Sequence, residues 1–165
     1  MNKAAFTLLY FILCFYCLGA SLMEHFAVDR AWIYAGPTEF PVLHHESAQG
    51  VLAAYVIPLI VLTLFTVLML WYRLPVISKK WVWVGLLCHG VTWISTALIQ
   101  IPMQLQLDKA KDAALLEHLI ATDWLRIIAQ VLFSGVVSMM IYQVANAYGV
   151  SDDARRVRTG GAKCL

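Results

Sequence analysis

The sequence predicts an all-α fold, an integral membrane four-helix bundle with both termini cytoplasmic. Three observations predict it: four long apolar runs, a composition with 61% hydrophobic and 13% charged residues, and an uneven division of charge between the loops. A soluble domain of 165 residues could not bury so much apolar surface. The chain is therefore expected to form a single membrane domain, residues 1–165, with little mass outside the bilayer.

The four apolar runs are long enough to cross roughly 30 Å of hydrocarbon at about 1.5 Å of rise per helical residue. The predicted spans cover residues 4–23, 51–72, 81–101 and 127–150. Two outer loops, 24–50 and 102–126, then connect them. Within the second loop, residues 108–122 alternate charged and apolar side chains at helical spacing, which predicts a short amphipathic helix on the outer interface.

The first run also has features of a cleavable leader. Lys3 precedes it, and the stretch from Leu18 to Ser21 loosely resembles a cleavage site. Twenty uncharged residues are long for a leader core, however, and removing the run would leave an odd number of spans. We therefore expect it to be retained as a span.

Lys and Arg residues in the short loops set the orientation of such a bundle. Eight lie on the side of both termini, namely Lys3, Arg73, Lys79, Lys80, Arg155, Arg156, Arg158 and Lys163. Four lie on the opposite side, namely Arg30, Lys109, Lys111 and Arg126. Eight of the ten acids also lie on that opposite side, so the outer face carries about −4 and the inner face about +6. Both termini are predicted to be cytoplasmic.

Polar residues recur along one face of the spans, at steps of three and four. The first span carries Tyr10, Cys14, Cys17, Ser21 and Glu24 on that face. The third carries His89, Thr92, Thr96, Gln100 and Gln104, and the fourth carries Asp123, Arg126, Gln130, Ser134, Ser138 and Tyr142. Hydrocarbon offers these groups no hydrogen bonds, so they are expected to meet in a polar seam inside the bundle. The hydroxyl and thiol members are best explained as helix contacts.

The strongly polar residues predict one candidate site near the outer membrane face. Its ligand or metal candidates are Glu24, His25, His44, His45, Gln100, Gln104, His118, Asp123 and Arg126. Asp123 and Arg126 lie one helical turn apart and are expected to form an ion pair. Imidazole and carboxylate groups from several segments could hold Zn, Fe, Mn or Cu, which makes a transition metal a candidate cofactor. A solvated surface with incidental histidines is the alternative.

His89 is predicted to lie deep within the third span, without a second histidine at the same depth. A haem held by two axial histidines would need that second residue. An ionisable residue inside the membrane is a candidate for function, but a neutral imidazole hydrogen-bonded to Thr92 or to a neighbouring helix explains it equally well.

Two segments carry a resemblance to a known family. The first is residues 93–107, WISTALIQIPMQLQL, and the second is Asp123-Trp124-Leu125-Arg126. With Phe40-Pro41 and His44 in the first outer loop, they resemble an uncharacterised family of small four-span bacterial membrane proteins over about residues 34–141. The resemblance implies a bacterial inner membrane location and supports the topology.

The chain departs from the family pattern at two candidate positions. Family members usually carry His where this chain has Gln104, and Asn where it has Asp123. The first departure removes a possible ligand, so the resemblance gives less support to a metal site than to the fold.

Three functional hypotheses follow, and none of them specifies a reaction, so whether the chain is an enzyme is left open. The first is a periplasm-facing polar pocket that binds a metal, a cofactor or a small lipophilic ligand. The second is a non-catalytic accessory subunit, which would present apolar faces rich in tryptophan to a membrane protein partner or to a second copy. The third is a small transporter or channel along the polar seam, although four helices enclose only a narrow path. The lipid bilayer is the expected environment, and nucleic acid is not an expected partner.

Overall fold

The computed structural model describes residues 2–160, with only the backbone described for 150–160. Lys163 and Cys164 therefore lie outside the described residues. Four long helices make up this part of the chain, and no strand occurs within it. They are α1 (Lys3–Tyr34), α2 (Phe40–Tyr72), α3 (Lys79–Leu107) and α4 (Ala113–Gly160). All four are long and apolar enough to span a membrane.

Side-chain caps define where three of these helices begin. The Asn2 side chain accepts a hydrogen bond from the Ala5 amide at 2.7 Å, and Asp112 accepts from the Ala114 and Leu115 amides at 3.0 and 3.1 Å. Ser78 caps α3 through a longer contact of 3.4 Å to the Lys80 amide. Each cap satisfies backbone amides that have no partner inside their own helix.

Large apolar side chains cover the outside of the bundle. Ile12, Leu64, Leu98 and Leu132, one from each helix, are between 56 and 72% exposed. A soluble protein rarely leaves such extensive apolar surface in water. The arrangement is compatible with a membrane helical bundle.

Aromatic and small residues pack the half of the bundle that holds the chain's N-terminus. Tyr10 of α1 meets Phe133 of α4 edge to face, with ring centroids 6.2 Å apart. Opposite Phe133, α3 places Gly85, where an added Cβ would lie 3.0 Å from the Phe133 ring. The absence of a side chain at Gly85 is what lets α3 and α4 approach so closely.

The predicted fold class and the four long apolar helices are confirmed, but the helices extend beyond the predicted apolar cores. Residues 24–34 continue α1 and residues 40–50 begin α2, so most of the predicted first outer loop is helical. The predicted amphipathic helix 108–122 is not a separate element. Helix α4 begins at Ala113 and runs unbroken into the fourth span, because no Gly or Pro interrupts residues 113–134.

Three of the four helices contain a wider, π-helical turn. These turns are Glu24–Asp29 in α1, Leu52–Val56 in α2 and Thr96–Gln100 in α3. A π-helical turn shifts the side chains that follow it around the helix axis, and such turns are frequent at functional sites. The buried residues of the three turns are polar, apart from the ring of Tyr55. The turns therefore direct polar side chains into the interior of the bundle.

Candidate functional site: a buried charged cluster beside an outer cavity

Arg126 of α4 is the centre of a buried charged cluster. Its guanidinium donates to the Asp123 carboxylate one turn earlier in the same helix, as expected from the sequence. It also forms an ion pair with Glu24 of α1, with an N–O distance of 3.3 Å. All three side chains are buried. The guanidinium thus joins α1 to α4 at the level of the π-helical turn in α1.

His25 lies on the other side of Asp123. Its Nδ1 atom is 2.9 Å from Asp123 Oδ2, so the two Asp123 oxygens have different partners. The rings of Phe26 and Trp124 pack edge-on against the imidazole, with centroids 4.8 and 5.0 Å from it. These partly exposed aromatic rings separate the histidine from the surroundings of the bundle, and His25 itself is fully buried.

Asp29 completes the cluster, and sequence reasoning did not find it. In a regular α-helix, five residues rotate a side chain by about 500°, which would place Asp29 about 140° away from Glu24. The π-helical turn Glu24–Asp29 reduces that offset. A π-helix has about one more residue per turn than an α-helix, so each residue rotates the chain by a smaller angle. Asp29 therefore points inward and is only 2% exposed. The sequence carries no signal for this turn.

The charges of the cluster do not balance. Glu24, Asp29 and Asp123 supply three carboxylates, against a single guanidinium from Arg126. A buried charge is costly unless it is paired, so two of the three negative charges need another partner, either bound protons or a cation. His25 can accept one proton at most beyond its neutral state.

Next to the cluster, between α2 and α3, the structure contains a cavity of about 280 Å³. One wall is polar and consists of Glu24, His44, Gln100, Gln104, Asp108 and Arg126. The other is apolar and includes Leu52 and Ile101, which are 52 and 50% exposed on the outside of the bundle. The cavity therefore borders both the charged cluster and the surface that faces hydrocarbon in a membrane-spanning bundle.

His44 occupies the outermost side of this cavity and has partners at both ring nitrogens. Nδ1 is 2.7 Å from Asp108 Oδ1, and Nε2 is 2.6 Å from Gln104 Oε1. The imidazole lies between Trp32 and Phe40, with centroids 4.6 and 5.3 Å away. These contacts connect α1, α2 and the end of α3 at the level of the predicted outer face.

His89 lies far from both groups, in the packed half of the bundle. Its Nε2 atom is 3.1 Å from the Thr66 hydroxyl and its Nδ1 atom 3.4 Å from the Thr63 hydroxyl, both on α2. The Phe133 ring lies 4.4 Å away. Of the two explanations given for His89, a histidine hydrogen-bonded to a neighbouring helix matches this geometry, with Thr63 and Thr66 as partners in place of Thr92.

The structure brings together most of the predicted site residues. Glu24, His25, Asp123 and Arg126 form the charged cluster, and His44, Gln100 and Gln104 line the cavity beside it. His45 and His118 are exposed and belong to neither group. His45 instead contacts Gln49 one turn away, at 3.0 Å. Both exposed histidines lie on the outward-facing sides of their helices.

Comparison with known proteins gives no match to a family model, to a curated protein or to a solved structure.

Proposed function

We propose that this chain is a small integral membrane protein that binds a neutral, lipid-soluble molecule in the cavity between α2 and α3. The observation that carries the proposal is the combination of a polar wall and a hydrocarbon-facing apolar wall in one cavity. Ligand sites are mostly apolar, with a few convergent polar groups that fix orientation. A molecule dissolved in the bilayer could enter past Leu52 and Ile101 without crossing water.

The charge of the polar wall favours a neutral head group. Glu24 and Asp108 outnumber Arg126, and Arg126 is already paired to two carboxylates. A fatty acid or phosphate head would add another negative charge beside them. The amides of Gln100 and Gln104 offer both donors and acceptors. The volume of about 280 Å³ fits one substituted ring, with an apolar tail left among the lipids. A quinone has these properties.

The membrane location and orientation are part of the same proposal. We place the protein in a bacterial inner membrane with both termini cytoplasmic, on the loop charges and the family resemblance. The cavity and the charged cluster then lie near the periplasmic face. Reporter fusions test this: a periplasm-active reporter inserted at residues 109–111 should be active, and one fused to the C-terminus should be inactive. The reverse pattern would overturn the orientation.

Ligand binding can be measured through Trp32, which lines the cavity. In lipid nanodiscs, a short-chain benzoquinone should quench tryptophan fluorescence saturably, and the saturable part should be lost in Trp32→Phe. Oleate at equal concentration should not compete. Gln100→Leu and Gln104→Leu should weaken quinone binding by about tenfold or more each, the equivalent of one hydrogen bond to a buried polar group.

Gln106→Leu is the matched control, because Gln106 lies on the same helix but is exposed. It should bind the quinone like the parent chain. Quenching that does not saturate, or that is equal in Gln104→Leu and Gln106→Leu, would mean that the quinone only partitions into the lipid and would refute the pocket. If a stoichiometric membrane protein then co-purified, the accessory-subunit hypothesis would replace it.

A further inference from the structure

Three side chains behind the polar wall of the cavity form a second, separate arrangement. His25, Asp29 and Asp123 each place one nitrogen or oxygen atom within 4.8 Å of the other two. None of the three lines the cavity, and all are at least 98% buried. Glu24 and Arg126 lie between them and the ligand space.

Two atoms of this arrangement have no hydrogen-bond partner within the described part of the chain. They are Nε2 of His25 and Oδ1 of Asp29. Buried polar atoms are nearly always hydrogen-bonded, and an unsatisfied one costs about 1–3 kcal/mol. Nε2 points away from Nδ1, which faces Asp123, so the open Oδ1 of Asp29 is the atom of this group that indicates a missing binding partner.

The charge of the group identifies the kind of partner. The charged and titratable side chains around it are Glu24, His25, Asp29, Tyr55, Asp123 and Arg126. With all three carboxylates ionised and the imidazole and phenol neutral, the group carries a charge of −2. A divalent cation balances that charge with a single bound ion.

The geometry points to a divalent first-row transition-metal ion held by His25, Asp29 and Asp123. The 2.9 Å between His25 Nδ1 and Asp123 Oδ2 is close to the roughly 3.0–3.4 Å that separates neighbouring ligands of one ion with bonds of about 2.1 Å. A carboxylate oxygen of Asp29 lies within 4.8 Å of both other ligand atoms. Arg126 donates to the other Asp123 oxygen and orients that carboxylate, as outer partners of metal ligands commonly do.

The ligand set distinguishes among cations. A histidine nitrogen disfavours Mg²⁺ and Ca²⁺, which prefer oxygen ligands throughout. The absence of thiolate from the group disfavours Cu⁺. One imidazole with two carboxylates suits Mn²⁺, Fe²⁺ or Zn²⁺. Because the rings of Phe26 and Trp124 cover His25, the ion should exchange slowly with solvent.

The metal site does not depend on the quinone pocket, and separate measurements test the two. The chain should be purified in mild detergent without chelator, and its Mn, Fe and Zn content measured by elemental analysis, before and after dialysis against each ion. We expect about one ion per chain. Co²⁺ in its place should give visible ligand-field bands that report a nitrogen and oxygen shell.

Asp29→Asn is the most informative variant. It keeps the side-chain volume and removes no protein hydrogen bond to Oδ1, so folding should survive. The metal affinity should fall by about 100-fold or more, because losing even an outer partner costs 10–100-fold. Asp123→Asn and His25→Ala should have the same effect on metal content.

Exposed residues of α4 provide matched controls. Glu117→Gln removes a carboxylate and His118→Ala removes an imidazole outside the cluster, and both should retain the ion. Less than about 0.1 ion per chain in the parent protein after dialysis against all three ions, or equal metal content in Asp29→Asn and Glu117→Gln, would overturn the proposal. Two bound protons would then balance the cluster.

Discussion

The buried histidines His25 and His44 lie at the same end of the bundle in opposite circumstances. Both ring nitrogens of His44 have partners, and one of these, Asp108, is 46% exposed at its side chain and can be hydrated. Only one nitrogen of His25 is paired, and its partner Asp123 is buried with two further carboxylates. The two histidines are about equally buried, but they differ in how many of their hydrogen bonds are formed and in how much unbalanced charge surrounds them.

This difference separates a structural histidine from a candidate ligand. A group whose hydrogen bonds are complete connects helices and gains nothing from another partner. A buried imidazole that faces a carboxylate, next to further acidic side chains, is a candidate ligand for a cation. Substitutions at these two sites, and at a third buried histidine, His89, test the difference.

The largest effect is expected from Arg126→Met. The substitution leaves Glu24 and Asp123 buried without their common partner and should destabilise the metal-free protein by about 3–5 kcal/mol. Thermal unfolding in detergent, followed by circular dichroism, measures it. Arg30→Met is the control, because Arg30 is exposed and its guanidinium lies over the Phe26 ring, 5.3 Å from the ring centroid. Similar losses in both variants would contradict the central role of Arg126.

His44→Leu should destabilise the protein less than Arg126→Met does. It removes two hydrogen bonds, which contribute roughly 1–3 kcal/mol together, and leaves Asp108 able to bind water. His45→Leu, at the exposed neighbouring position, should change the unfolding temperature little. If His44→Leu proved as costly as Arg126→Met, the contrast between hydrated and fully buried partners would be wrong.

Asp29→Asn should stabilise the metal-free protein, whereas the two substitutions above should destabilise it. Neutralising one of the uncompensated carboxylates should raise stability in EDTA by roughly 1 kcal/mol, while Asp108→Asn at the His44 site should lower it. Addition of Mn²⁺ or Zn²⁺ should then stabilise the parent chain and leave Asp29→Asn unchanged. A loss of stability for Asp29→Asn in EDTA would show that Asp29 is ionised and favourably paired.

The four long apolar helices could be predicted because their signal is local. Uncharged runs of about twenty residues need no knowledge of packing, and the face formed by Tyr10, Cys14 and Cys17 is buried as the spacing predicted. The extension of α1 through residues 24–34 was missed because its polar side chains resemble those of a loop. On the fourth span, the predicted face is wrong at its inner end, since Ser138 and Tyr142 are exposed.

The candidate site could be predicted only in part. Glu24, Asp123 and Arg126 followed from depth and helical spacing, and the structure joins them through the guanidinium. Asp29 depends on a π-helical turn that no sequence pattern indicated. His118 was grouped with the cluster by depth alone, but depth does not determine which side of a helix a residue occupies, and His118 faces outward.

The smallest effect is expected at His89, a third buried histidine that extends the contrast to the packed half of the bundle. Thr66→Val keeps the side-chain shape but removes the hydroxyl 3.1 Å from Nε2. Interhelical hydrogen bonds of this kind average about 0.6 kcal/mol and reach about 1.7 kcal/mol in membrane bundles.

Thr63→Val removes the longer 3.4 Å contact and also the acceptor of the Trp93 indole N–H, at 3.0 Å. A double-mutant cycle with His89→Leu isolates the histidine contribution. A coupling energy well above that range would contradict a purely structural role for His89, whereas a small coupling places it with His44 among the structural histidines.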